Sequence, residues 1–412
     1  MSTTNEVPVT LDEGTAYGME PGTHDRDLTE VGPGTPMGEL LRRYWHPVAV
    51  SEDATDVPTP VRALGEDMIL FRDRGGRVGL MHPRCTHRGT SLLYARVDDH
   101  GIRCCYHGWA FDTEGRCTDQ PCEPDNGKTR DRFRQPWYPA AERYGLVWAY
   151  LGPPERKPLL PRYSTFENLA DDEQLFTDDK NIGGGRYFRG DVPFNWFQHY
   201  ENILDAAHFL WLHVYHSGPQ FGDRYGEFDQ LDRQPWELLT EQTFDVTDTG
   251  VAGARNYTIP DGRVLRTVTE TVLPTVRGVS NPFGEPGPGD SLGFVLPVDD
   301  THFRIFTVLR GTDRTFFERI AAMRPEGEIP FETTQRFPGD WEAQGSQGEI
   351  TLHSHEHLAT SDRGIRMLRR LFREQIEIVA SGGDPINVGF AEGDDLVEIA
   401  CGQYLSDAPQ AH

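Results

Sequence analysis

What this chain lacks sets the first limits. No run of about 18 apolar residues occurs along its 412 positions, so no membrane-spanning helix is expected. The stretch from Met1 to His24 is polar and acidic. It has no basic start followed by an apolar core, so no secretory signal is read and a cytoplasmic protein is expected. Basic charge is short: 40 Lys and Arg face 65 Asp and Glu, for a net charge of -25. Nucleic acids are held by clustered cations, so nucleic-acid binding is disfavoured and the acidity reads as a solubility device. Cysteine is limited to six residues, which a cytosolic enzyme keeps reduced. No G-x-G-x-x-G dinucleotide fingerprint, no plant-type cysteine cluster and no internal repeat occurs.

Two of the six cysteines sit in an unusual pattern. Cys85-Thr86-His87-Arg88-Gly89 is followed, after sixteen residues between His87 and Cys104, by Cys104-Cys105-Tyr106-His107-Gly108-Trp109. Each segment offers one thiolate and one imidazole. A [2Fe–2S] centre in which two His replace two Cys on one iron needs that set. Neutral imidazoles leave their iron less electron-rich, so the potential rises and the centre suits one-electron delivery. The competing reading is a Cys₂His₂ zinc site, but zinc fingers group Cys with Cys and His with His. Arg84, Arg88, Arg96 and Arg103 surround these loops. They form either a landing patch for an acidic electron donor or a scatter of solvated side chains.

A second pattern lies at Glu201-Asn202-Ile203-Leu204-Asp205-Ala206-Ala207-His208-Phe209-Leu210-Trp211-Leu212-His213. Two His and one carboxylate on one face of an Fe(II) leave positions for dioxygen and substrate. Asn202, Asp205 and His208 recur every three residues, so neighbours share a helix surface. His213 follows His208 by five, about 140° away on an ideal helix. Both rings reach one ion only if the helix ends or bulges between them. His216 is a rival ligand, better read as a loop residue among Ser, Gly and Pro. His353, His355 and His357 alternate as they would on one side of a strand, and are read as an exposed segment.

Along the chain, residues 1–36 read as an arm and Gly38 to Tyr44 as a short helix. Short apolar runs broken by turn residues follow, such as Met68 to Phe71 and Val78 to Met81 around Arg74-Gly75-Gly76; this is hairpin grammar. Tyr144 to Leu151 closes that β unit, and Gly152-Pro153-Pro154 ends it. The division expected is 1–43 for the arm and helix, 44–155 for the cluster domain and 156–412 for a catalytic domain. In the last, Leu265 to Leu273, Ser291 to Val298 and His302 to Leu309 read as strands. Asp362 to Ala380 is an amphipathic helix capped by Ser361, with Ile365, Leu368, Leu371, Phe372, Ile376 and Val379 on one stripe. The class is α+β.

These motifs resemble the α subunits of Rieske non-haem iron oxygenases, the aromatic-ring-hydroxylating enzymes, and within them the phthalate-dioxygenase-like group. The resemblance covers nearly all of residues 37–400. It implies a Rieske [2Fe–2S] cluster on Cys85, His87, Cys104 and His107, with Cys105 standing as a buried or inert thiol where the family has Pro. It implies a helix-grip (START-like) catalytic domain with a mononuclear Fe(II) on His208, His213 and Asp340. Asp340 is chosen from Gly339-Asp340-Trp341-Glu342-Ala343-Gln344-Gly345-Ser346-Gln347-Gly348, with Glu342 and Asp362 as rivals. Asp205 and Asn202 become the catalytic candidates. Asp205 would accept a hydrogen bond from His208 and, across a subunit boundary, from His107 or His87. The family pattern further implies a homotrimer or hexamer, electrons from a separate NAD(P)H-dependent reductase or ferredoxin, and oxidation of a small aromatic substrate by O2. Cis-dihydroxylation, monooxygenation and O-demethylation all stay open. An electron carrier without oxygenase chemistry is the alternative of another class; it would need no His208/His213/Asp340 set. Arg189, Arg277 and Arg310 could each hold a substrate carboxylate, although each reads first as a structural or surface residue.

Overall fold

The fold was analysed in a computed structural model that describes residues 19–179, 190–216, 239–258, 262–279, 286–315, 318 and 330–407. The first half is built from short antiparallel strands. Thr59–Ala63, Glu66–Arg72, Val78–Met81 and Trp137–Tyr138 form one four-stranded sheet. Arg96–Asp98, Gly101–Arg103, Ala110–Phe111 and Cys117–Asp119 form another. Trp45–Val50, Leu146–Tyr150 and Ala140–Arg143 make a three-stranded sheet. Tyr144 does not belong to the closing strand. It takes φ 57 in a tight turn with Gly145, φ 73, that reverses the chain.

The second half centres on a nine-stranded antiparallel sheet. Its main path runs Gln174–Asp178, His302–Gly311, Ser291–Asp299, Val276–Gly278, Val264–Val272, Gly250–Thr258, Leu239–Val246. The helix Arg363–Ala380 packs against the last two of these strands. Ile365, Leu368, Leu371 and Phe372 are buried, while Ile376 and Val379 are partly so, as the stripe predicts. Its N-cap is Asp362 rather than Ser361, and the Asp362 carboxylate accepts from Ala359 N at 2.6 Å.

The apolar core does not break near residue 155. One cluster joins Leu28, Met37 and Trp148 to Phe294, Phe306 and Phe372. Around the cysteine loops lies a second, smaller core of Ile69, Phe71, Met81, Trp109 and Phe111. The arm expected over residues 1–36 is docked from residue 20 onward. Leu28 and Val31 are fully buried, and Val31 N donates to Asp300 Oδ1 at 2.8 Å. His353–His355 is a 3₁₀ turn, not a strand. His353 Nδ1 accepts from Asp25 N at 3.1 Å, and His355 Nε2 donates to Glu20 O at 3.0 Å. These histidines clasp the N-terminal segment. Two apolar side chains and a few polar anchors are enough to fix a stretch whose composition looks like a tail. Among the described residues no helix is long and apolar enough to cross a membrane.

Candidate metal centres

The two cysteine loops share one construction. Cys85 N donates to Thr90 O at 2.8 Å and Gly89 N to Cys85 O at 2.8 Å. In the second loop Cys104 N donates to Trp109 O at 2.9 Å and Gly108 N to Cys104 O at 3.1 Å. Each glycine follows its cysteine by four and takes a left-handed φ, 76 at Gly89 and 74 at Gly108. An L side chain is strained there, so the glycines are required by the turn. The loops turn the thiols of Cys85 and Cys104 toward each other inside the small core. His87 and His107 meet edge to face, 4.7 Å between ring centres, and His87 lies flat on Trp109 at 4.4 Å. Burial pushes the Cys85 thiol up to about 12. Such a thiol stays protonated unless a bound metal removes the proton. Two buried thiols and two adjacent imidazoles fit a Rieske cluster.

Gln135 ties this pocket shut. It is fully buried, accepts from Thr86 N at 2.8 Å, and donates to His82 O at 2.9 Å and Arg84 O at 3.0 Å. Nothing in its sequence surroundings marks it. Of the two readings of Cys105, buried or inert, the first is excluded: it is exposed, because adjacent residues in the turn point to opposite sides. The arginine patch is half consumed. Arg96 and Arg103 both bind Asp98, and Arg103 also binds Asp119. Arg88 lies over the exposed ring of Tyr106.

The second centre grows from the segment after Asn195. Asn195 caps the helix Trp196–Glu201, its Oδ1 accepting from Phe197 N at 2.9 Å. The chain then tightens to a 3₁₀ turn over Asn202–Leu204 and leaves the helix at Asp205, whose φ and ψ are -82 and 100. So Asn202, Asp205 and His208 do not ride one continuous helix. Asp205 starts a new one, Oδ1 accepting from Ala207 N at 2.9 Å and His208 N at 3.2 Å. After one turn the backbone widens into a π-helix over Phe209–His216. That widening is the irregularity expected between His208 and His213, and it brings a five-residue spacing back to one side.

His208, His213 and Asp340 converge, all ligand atoms within 4.8 Å of one another. His213 Nε2 lies 3.4 Å from Asp340 Oδ2 and His208 Nε2 3.6 Å from Asp340 Oδ1. Two bonds of about 2.1 Å to a shared ion would place their ligand atoms about 3 to 3.5 Å apart. Asp340 opens the helix Asp340–Gly345, and its Oδ1 is buried without a hydrogen-bond partner among the described residues. Burial would raise its pKa. The imidazoles of His213 and His208 reverse this and hold the carboxyl well below the usual range. A half-buried carboxylate kept ionised, with one oxygen short of donors, suits a cation. Asn202 Nδ2 lies 3.3 Å from His208 Nε2, beside this site. His208 Nδ1 donates to the backbone carbonyl of Asp205 at 2.6 Å, whereas the Asp205 carboxylate is 3.7 Å away. The carbonyl, rather than the carboxylate, is therefore the closer acceptor that orients this ring.

The rivals fall elsewhere. Glu342 Oε2 accepts from Gly339 N at 2.7 Å at the helix start. Asp362 caps the Arg363–Ala380 helix, and Arg310 pairs with Glu173 at 2.6 Å. The side chain of His216 and all of Arg189 lie outside the described residues. Glu201 is buried in a two-pronged pair with Arg369, which also holds Glu356. Sequence reasoning missed His199. Its ring is stacked on Phe303 and Trp341, its Nδ1 donates to Gln344 Oε1 at 2.8 Å, and its Nε2 accepts from Arg277 at 3.1 Å. Burial, aided by Arg277, pushes its pKa down to about 3, so it is neutral.

Comparisons with known proteins decide the family. A Rieske [2Fe-2S] domain is matched over residues 44–138. Phenoxybenzoate dioxygenase subunit alpha of Ectopseudomonas oleovorans is 45% identical over 98% of this chain and 98% of its own. This chain is a Rieske oxygenase α subunit. A tert-butanol monooxygenase / tert-amyl alcohol desaturase oxygenase subunit of Aquincola tertiaricarbonis is 35% identical, over 95% of this chain and 87% of its own. The 5,5'-dehydrodivanillate O-demethylase oxygenase subunit of a Sphingobium species is 33% identical, over 87% and 81%. The fold agrees with that of NdmA of Pseudomonas putida CBB5, with a TM-score of 0.57 at 17% identity, covering 85% of this chain and 94% of that one. Dicamba monooxygenase bound to dicamba gives 0.55 at 17% identity, covering 83% and 99%. As a Rieske oxygenase α subunit, the chain is the oxygenase component of a multi-protein system, with a [2Fe–2S] cluster and a mononuclear iron as cofactors. A separate reductase or ferredoxin supplies its electrons.

Proposed function

We propose that this subunit oxidises a small aromatic substrate with O2 at an iron held by His208, His213 and Asp340. The reading is carried by one observation: a half-buried carboxylate with an unpartnered oxygen meets two imidazoles from a segment more than a hundred residues away. The iron supplies oxygen activation. The chain's own residues hold and orient it, with the Asp205 carbonyl fixing the His208 ring and Asn202 alongside. Cys85, His87, Cys104 and His107 hold the cluster, and the cluster unit is taken as residues 44–155, the catalytic unit as 156–412. Two relatives, named for phenoxybenzoate and 5,5'-dehydrodivanillate, support an aromatic substrate. They differ in reaction, dioxygenation against O-demethylation, so either outcome suits this site. None of the six cysteines forms a disulfide among the described residues, which agrees with a reducing cytoplasm.

Electron delivery is proposed to cross between subunits of a homotrimer, alone or stacked as a hexamer. Within one chain, the Asp205 carboxylate accepts hydrogen bonds only from Ala207 N and His208 N among the described residues. Its partly exposed carboxylate is free to accept from His107 or His87 of a neighbour. The test of the iron site is substitution. Purified protein should carry about three irons per chain, two in the cluster. His208→Ala, His213→Ala or Asp340→Ala should lose the single iron and all turnover of an aromatic acid or ether, yet keep the Rieske EPR signal. Full iron and turnover in Asp340→Ala would move the ligand to another carboxylate.

A further inference from the structure

Arg277 carries hydrogen-bonding capacity that the chain leaves unused. It lies on the strand Val276–Gly278, opposite Thr271 on one side and Gly293 on the other. A Cβ at Gly293 would sit 3.3 Å from Arg277 Cδ, so the missing side chain gives the arginine stem its room. Nη1 donates to His199 Nε2 at 3.1 Å. His199 is anchored in turn on Gln344, one helical turn beyond Asp340 on the same helix. The relay Arg277–His199–Gln344 sets the guanidinium beside the His208/His213/Asp340 site, near enough for its charge and that of Asp340 to interact.

A guanidinium has five N–H donors in a planar fork. His199 takes one, and Nε is buried with no partner. Among the described residues Arg277 forms no ion pair, whereas Arg304, Arg310 and Arg369 are all matched to carboxylates. The one charge interaction of Arg277 among the described residues is with Asp340, the carboxylate proposed to bind iron, so this half-buried cation is weakly compensated, and an iron(II) with a single carboxylate ligand would add positive charge beside it. The interior at this point is short of one anion. Its natural complement is a planar carboxylate, which accepts two parallel bonds from the fork.

We propose that Arg277 anchors the carboxylate of an aromatic acid, sets its ring against the iron site and selects acids over neutral analogues. This deepens, and rests on, the aromatic-oxygenase reading above. His199 and Gln344 are positioning residues that hold the fork in place.

The test compares 4-phenoxybenzoate, 4-phenoxybenzamide and diphenyl ether, which share a ring system and differ in charge. Each is titrated by calorimetry into the metal-loaded enzyme without oxygen, and kcat and KM are measured with a surrogate reductase. The wild-type enzyme should bind the acid at least about tenfold more tightly than the amide. Arg277→Gln should erase that preference by weakening the acid alone, with iron content and the cluster EPR signal unchanged. Arg277→Lys should restore part of it, because a point charge replaces the fork. Arg310→Gln should keep it in full. Equal binding of acid and amide by the wild-type enzyme overturns the anchor whatever the variants do. So does an equal loss for both ligands in Arg277→Gln, and in either case the oxygenase reading stands. An enzyme that neither binds nor oxidises any of the three overturns the aromatic substrate and the anchor together.

Discussion

Cys104 and Cys105 are neighbours with opposite surroundings. Cys104 is buried in the small core beside Cys85, while Cys105 faces solvent. Only a thiol inside the pocket can share an iron with Cys85. Cys104→Ser should therefore abolish the red-brown colour and the Rieske EPR signal, and Cys105→Ser should retain both. Bleaching in Cys105→Ser with colour kept in Cys104→Ser would reverse the ligand register. The adjacent thiols also show what a spacing rule can do: C-x-x-H singles out Cys104, but says nothing about which thiol is exposed. His199 and Gln135 mark the opposite limit. Each is fixed by partners far away in sequence, Arg277 and Gln344 for one and the Cys85 loop for the other. No local pattern could announce them.

At the level of the element, the π-helix Phe209–His216 does work that a regular helix could not. On an α-helix His208 and His213 diverge by about 140°, and the wider turn removes most of that angle. Inserting one alanine after Trp211 should swing His213 away from Asp340. The expected result is loss of the single iron with the cluster EPR signal intact, read by iron analysis and spectroscopy. Deleting Trp211 instead should allow an α-helical turn with the histidines four apart, and should keep more iron than the insertion does. Equal iron in the two variants would show that the backbone widening is not what aligns the rings. The same segment shows where periodicity misleads. Asn202, Asp205 and His208 are spaced for one helical face, but Asp205 leaves the helix to cap the next turn, a competition that Asp side chains commonly win.

For the whole molecule, the question is how the cluster and the iron communicate. Asp205 meets no cluster ligand in its own chain among the described residues. The proposed route runs head to tail between subunits, an arrangement that closes as a ring. Mixing settles it. A Cys104→Ser chain and a His213→Ala chain should each be inactive alone. Co-expressed mixed rings should recover part of the activity, since an intact cluster then faces an intact iron across some interfaces. Asp205→Ala should keep both metals and transfer electrons far more slowly, seen as slow cluster reoxidation in a single turnover. Full activity in a monomer, or no recovery in verified mixed rings, would sink this route.

The sequence by itself determined both metal-ligand motifs, the hairpin around Gly75-Gly76 and the long amphipathic helix. Each is local: a ligand pair, a turn or a helical stripe lies within a few residues, so chemistry and period expose it. Only the tertiary structure decided the rest. It set Asp340, which the family motif had favoured, against His208 and His213 in place of its rivals, folded residues 20–31 onto the His353–His355 turn, and ran one core through the expected boundary at 155. It also placed a sparsely bonded Arg277 beside the His208/His213/Asp340 cluster. These outcomes depend on contacts between segments a hundred or more residues apart, where no sequence period reaches and packing alone chooses the partners.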